Sequence, residues 1–233
     1  MKKLAVFVEG QTEQIFVERL LLEIAGKKNI HIDRYEATGR QGKRRFIRLE
    51  ATNQSSGAKY YAQVIDSRGE SNVKSDVRDR YQGLVSADFK FIIAIRDVLP
   101  SFTYAEISKL RKGLMMYVPT VPVSPLFVLG VMEIEAWFVS EHTHFERIHS
   151  ELNPQLIMDK LGFDPRVDDI QLRLQPARDL NAIYDLVGLS YKKSRAMVGT
   201  TVNALSYEHC YLDLPNRLPD VKALVGAIDA FLT

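Results

Sequence analysis

The residues with the chemistry to handle phosphate are acids placed just after apolar runs. Glu9 follows Leu4-Ala5-Val6-Phe7-Val8, with Glu13 four positions on; Asp97 follows Phe91-Ile92-Ile93-Ala94-Ile95 and Arg96; Glu133 and Glu135 follow Leu126-Phe127-Val128-Leu129-Gly130-Val131. A run of that kind reads as a buried strand, and in an α/β sheet ligands gather at the carboxyl ends of strands. A helix N-terminus there attracts anions, but two glutamates beside it would repel a bare phosphate. A hard divalent cation removes the conflict, because Mg²⁺ takes carboxylate oxygens together with substrate phosphates. The plainer reading is that Glu13 complements the helix dipole and Glu9 is a solvated turn residue.

Two groups of cations could accompany those acids. The stretch Thr38-Gly39-Arg40-Gln41-Gly42-Lys43-Arg44-Arg45 carries two glycines and four cations, the make-up of a phosphate-contacting loop or of a solvated charged one. It lacks the lysine-serine ending of a P-loop. Lys192 and Lys193 could stabilise developing negative charge or lie on a helix surface. His142, His144 and His149 have only Glu141 and Glu146 nearby in sequence, too little for zinc, and read as surface histidines.

The elements that must position these groups follow from periodicity. Leu4 to Val8 is a strand, and Ile15, Phe16, Leu20 and Ile24 repeat at helical spacing behind it. Gly10 is expected to permit the intervening turn and Thr12 to cap the helix. Further strands are expected at Ile30–Tyr35, Tyr60–Ile65, Phe89–Ile95 and Leu126–Val131, and helices at Lys74–Leu84 and Tyr104–Met116. Beyond residue 140 the pattern is helical: Leu152–Leu161, Ala177–Val187, Lys192–Leu205 and Val221–Leu232. Asn153-Pro154, Asp164-Pro165 and Gln175-Pro176 read as helix starts and Gly162 as a stop. Trp137 and Phe138 are expected in the core. The fold class expected is α/β, with residues 1–140 forming the sheet domain and 141–233 a helical C-terminal region.

Composition bounds the function. A chain of 233 residues with 46% hydrophobic and 26% charged residues is an ordinary globular sequence. A net charge of +2 excludes a strongly basic nucleic-acid coat, so any such surface must be local. The single cysteine, Cys210, allows no internal disulfide and fits a reducing compartment. The apolar run after Met1-Lys2-Lys3 is too short for a signal-peptide core, and no run reaches membrane-spanning length. A cytoplasmic protein without membrane contact is the expectation.

Val8-Glu9-Gly10-Gln11-Thr12-Glu13 with a helix behind it resembles the opening motif of TOPRIM domains, the metal-binding fold of topoisomerases, primases and overcoming-lysogenization-defect (OLD) nucleases. With the Ile95-Arg96-Asp97 strand end and Glu133-Ile134-Glu135-Ala136-Trp137-Phe138, the chain is similar to a bacterial TOPRIM-like family of unknown function linked to mobile-element and phage-defence loci. The similarity spans roughly residues 4 to 140 and extends to Tyr191-Lys192-Lys193-Ser194-Arg195-Ala196, where such families carry a lysine-bearing helix.

The resemblance implies a TOPRIM/Rossmann-like, mostly parallel sheet flanked by helices. It makes Glu9 the TOPRIM glutamate, Glu13 the second acid of OLD-type nucleases, and Asp97 one member of an Asp-x-Asp pair. That pair is incomplete, because Ile95 and Leu99 occupy the two candidate partner positions. Glu133 or Glu135 would supply a further acid, according to whether the segment is strand or helix. The implied activity is a nuclease cutting DNA or RNA with one or two Mg²⁺ or Mn²⁺ ions. Glu9, Asp97 and Lys193 would be catalytic, and Glu9, Glu13, Asp97, Glu133 and Glu135 metal ligands. Arg40, Lys43, Arg44, Arg45 and Lys192 would contact nucleic acid. The alternative is a degenerate module that binds nucleic acid or a partner ATPase without cutting. A homodimer is also among the expected assemblies.

Overall fold

The computed structural model describes residues 1–40 and 43–233, with backbone alone at positions 50 and 52. Contacts divide the chain into two units: Met1–Arg96 with Ser108–Val128 and Ala223–Thr233, and Asp97–Ile107 with Leu129–Lys222. In chain order the sheet region comprises β1 (Lys2–Val8), α1 (Gln11–Ala25), β2 (Ile30–Thr38), β3 (Arg45–Asn53), β4 (Tyr60–Asp66), α2 (Glu70–Ser86), β5 (Phe91–Asp97), α3 (Ile107–Met115) and β6 (Leu126–Gly130). The six strands lie in the order β3-β2-β4-β1-β5-β6. β1 runs parallel to β4 and β5, β4 parallel to β2, and β3 antiparallel to β2. The expected α/β class, with a mostly parallel sheet flanked by helices and a helical C-terminal region, is what the chain forms.

In the first unit β1 is central, and Leu4 to Val8 are each no more than 1% exposed. Full burial of such side chains stabilises by roughly 1.5–3 kcal/mol each, enough to hold this strand between two helical layers. Ala5 and Phe7 pack with Val73, Val77, Tyr81 and Leu84 of α2. Alternation turns Leu4, Val6 and Val8 to the opposite face, where right-handed crossovers place α1. Gln14 fastens α1 to that face by donating from Nε2 to the carbonyls of Tyr35 (3.0 Å) and Val64 (3.1 Å).

The edge strand β3 was not legible in the sequence, because Arg and Glu interrupt its apolar positions. An edge strand needs only one neighbour and tolerates that polarity. Ile47 there is 51% exposed. Gln41 and Gly42, read as part of the basic loop, lie outside the described residues.

The second unit contains α4 (Glu135–Ser140), α5 (Phe145–Ile148), α6 (Pro154–Leu161), α7 (Pro176–Asp185), α8 (Arg195–Ala204), α9 (Tyr207–Leu212) and α10 (Leu214–Arg217). It also contains the start of α11 (Pro219–Leu232), which continues into the first unit. Trp137 and Phe138 are buried as expected, with Phe145, Ile157, Leu180 and Val198. Asn153 caps α6 by accepting from the Leu156 N–H at 2.9 Å, and Gly162 ends it in the left-handed region at φ 73°.

Asp164-Pro165 does not start a helix. The Asp164 carboxylate accepts from the Arg166 N–H at 2.9 Å, an Asx turn that competes with helix initiation. The expected helix over Lys192–Leu205 starts late, because Ser194 caps it. Lys192 and Lys193 therefore sit on the preceding loop. Among the described residues no helix is long and apolar enough to cross a membrane.

Candidate functional site

The first unit carries a topological switch point. From β1 the chain crosses through α1 to one side of the sheet, and from β4 it crosses through α2 to the other, while β1 and β4 are neighbours. Ligands of open α/β sheets bind at the carboxyl ends of such a strand pair. Val8, Asp66 and Glu36 fall in one row across β1, β4 and β2. Glu9 follows Val8, and the turn after β4 is bonded to it: Ser67 N–H donates to the Val8 carbonyl (2.8 Å) and Gly69 N–H to the Glu9 carbonyl (2.7 Å).

Glu13 reaches back from the first turn of α1, and its Oε2 accepts from the Gly10 N–H at 2.9 Å. The N-cap is thus Gly10, not Thr12, with the acid of the third helical position closing half of a capping box. Gly10 itself is extended at φ −159°, so the left-handed freedom expected of it is not what this turn uses. That freedom is required at Gly69, φ 122°, where the backbone turns into α2 after Arg68 at φ 55°.

Asp66, an acid not singled out in the sequence, is 6% exposed and accepts from the Arg68 N–H at 2.7 Å. Burial pushes its carboxyl up, against the opposing pull of Arg68. The rule that picked out the other acids, an apolar strand closing on a carboxylate, would have found it in Tyr60–Asp66. Arg68 pairs with Glu36 at 2.6 Å while its side chain remains 58% exposed. Acids, an arginine and the N-termini of two long helices thus meet at one end of β1, β4 and β2. Acids there attract a cation, and the helix ends attract an anion.

Arg44 is held differently from its basic neighbours. Its guanidinium donates to the Ser67 carbonyl (2.6 Å) and forms a buried ion pair with Asp76 of α2 at 2.5 Å, the Asp76 side chain being 0% exposed. It clamps the turn after β4, whereas Arg40, Lys43 and Arg45 are exposed.

In the second unit Asp97 is 4% exposed, and its Oδ1 accepts from the Ile134 N–H at 2.9 Å. It braces the turn leading to α4 and lies against Gly130, where a Cβ would come within 2.3 Å of that oxygen. Glu133 lies in the turn and Glu135 opens α4, so the two are not on one strand. They nevertheless converge on Lys193, whose Nζ is 3.2 Å from Glu133 Oε1 and 3.1 Å from Glu135 Oε2. The second oxygen of each is also held. Ala177 N–H donates to Glu133 Oε2 and the Tyr191 hydroxyl to Glu135 Oε1, both at 2.9 Å. Burial pushes the Glu135 carboxyl up, against the attraction of Lys193. Lys192, beside it, is exposed.

The same unit buries Glu141, which accepts from the Thr143 hydroxyl and from the Ser206 N–H at 3.1 Å. His144 and His209 approach it at 3.5 and 3.4 Å. Burial raises its carboxyl, but the donors led by His144 outweigh that and hold it below the usual range. The expectation of surface histidines fails at His144, which is 0% exposed because its ring packs against Phe145 at 4.2 Å.

Among the described residues no group of three or more His, Cys, Asp and Glu side chains is gathered as a metal centre. Of the residues expected to act together, Glu9 and Glu13 meet at the start of α1, and Glu133, Glu135 and Lys193 meet at the start of α4. Compared with protein-family models, curated proteins and solved structures, the chain finds no match.

Proposed function

We propose that this chain is a metal-dependent, TOPRIM-type nuclease that hydrolyses phosphodiester bonds of DNA or RNA at the switch point of its first unit. The observation that carries the reading is the position of Glu9 and Glu13, together with buried Asp66, where β1 and β4 send their crossovers to opposite sides. One or two carboxylates with the remainder of the coordination from water and phosphate is the ordinary manner of Mg²⁺ binding, and Mn²⁺ accepts the same oxygen ligands. A bound ion would supply charge neutralisation of the phosphoryl group and an activated water. Glu9 and Glu13 would hold it. Arg68 and the N-termini of α1 and α2 would orient the phosphate, with Arg44 fixing the turn that carries Arg68. The exposed Arg40, Lys43 and Arg45 would track the nucleic-acid backbone without reading its sequence.

A second reading, a module that binds nucleic acid or a partner ATPase without cutting, has its own support. Asp97 braces the Ile134 turn, and Glu133 and Glu135 are paired with Lys193, so these three acids have structural duties. The two readings part on incubation with plasmid, single-stranded DNA and tRNA in Mg²⁺ and in Mn²⁺. The nuclease predicts cleavage abolished by EDTA and reduced at least about a hundredfold in Glu9→Gln, a loss on the scale of removing one transition-state contact. Equal cleavage by Glu9→Gln refutes the assignment. Absence of cleavage with binding that weakens as salt rises supports the second reading.

A further inference from the structure

We propose that Glu133 and Glu135 form a divalent-cation site in the second unit whose resident occupant is the tethered ammonium of Lys193. Each carboxylate is oriented by a protein donor on one oxygen, Ala177 N–H for Glu133 and the Tyr191 hydroxyl for Glu135, and turns its other oxygen to the same point. The Lys193 nitrogen occupies that point at 3.2 and 3.1 Å. Ligand carboxylates fixed by outer hydrogen bonds are how proteins prepare metal sites, and two carboxylates completed by water suit Mg²⁺ or Mn²⁺.

The charges agree with such an exchange. Two carboxylates and one ammonium leave a net negative charge, which a divalent ion would neutralise. Glu135 is 0% exposed whereas the Lys193 side chain is 45% exposed, so the anion is fixed and the cation sits at the open side. The lysine is on the loop between Tyr191, whose N–H is held by Asn181 at 2.9 Å, and the Ser194 cap of α8. Rotation of its long side chain into solvent uncovers the carboxylates without moving the backbone. The inference does not depend on the Glu9 site.

The test is titration with MnCl₂, by calorimetry and by electron paramagnetic resonance, in a Glu9→Gln background that removes the ligand proposed for the first unit. Lys193→Met retains the packing of the stem and removes the charge. It should bind one Mn²⁺ at least about tenfold more tightly than its Lys193 parent, the scale of removing a like charge within about 4 Å. The gain should vanish when Glu135→Gln is added. If Lys193→Met does not fold, as read from Trp137 fluorescence, Lys193→Gln is held to the same standard. No gain on loss of the lysine charge, or a gain that survives Glu133→Gln with Glu135→Gln, overturns the proposal.

Discussion

Replacing Gly130 with alanine tests how tightly the turn between β6 and α4 is built. The added Cβ would lie 2.3 Å from Asp97 Oδ1, 2.9 Å from the Ile134 nitrogen and 3.2 Å from Ile134 Cα. None of these is the far end of a flexible side chain in solvent: Asp97 is 4% and Ile134 0% exposed. Relief requires Asp97 to withdraw, which breaks its 2.9 Å bond to the Ile134 N–H. Overpacking costs about 1–3 kcal/mol, and losing a charged hydrogen bond from a buried N–H costs about 1.5–3 kcal/mol. Together they give a destabilisation of about 3–5 kcal/mol. At about 2–4 °C per kcal/mol for a chain of this size, Tm should fall by roughly 6–20 °C. Trp137, the single tryptophan, is buried in the same unit, so its fluorescence during thermal and urea unfolding reports on the affected region. The explanation also requires coupling. Once Asp97→Ala has removed the carboxylate, Gly130→Ala should cost less by more than about 1 kcal/mol. A single variant melting within about 2 °C of the parent, or additive single costs, would refute the steric account.

Other consequences follow from the buried charges. Arg44→Ala strands the carboxylate of Asp76 and should cost about 3–5 kcal/mol in urea unfolding, with much of the loss recovered when Asp76→Leu is added. Two buried glutamates should give opposite pH slopes. Burial raises the proton affinity of Glu135 in the folded state, so its contribution is present below its ordinary value of 4.5 and is lost as pH rises through the folded one. Stability of Glu135→Gln relative to the parent should therefore improve as pH rises above that value. Glu141 is held below its ordinary 4.5, so its contribution is present above that value and is lost as pH falls. The deficit of Glu141→Gln should shrink on acidification, and urea midpoints between about pH 4 and 8 check both signs.

Much of the framework was readable from local pattern. Continuous apolar runs marked β1, β4, β5 and β6, because a strand covered on both faces has no polar alternation to obscure it. Helical repeats marked α1, α2, α6, α7 and α11. The misreadings have local causes. β3 is polar because it lies at an edge, Gly10 displaced Thr12 as cap once Glu13 closed the box, and the Asp164 carboxylate made a turn where Pro165 suggested a helix.

The amino-acid sequence by itself determined that acids would stand just beyond buried strands, since the apolar run and the acid that ends it are adjacent in the chain. Which groups those acids meet was decided by the tertiary structure. The Lys193 ammonium lies between Glu133 and Glu135 across some sixty positions, Arg44 reaches Asp76 and the Ser67 carbonyl, and Asp97 finds the Ile134 N–H and the bare Cα of Gly130. The physical reason is range. Strand and helix preferences arise from near neighbours along the chain, whereas a carboxylate's protonation, bonding and use depend on whichever donors packing brings within about 3 Å.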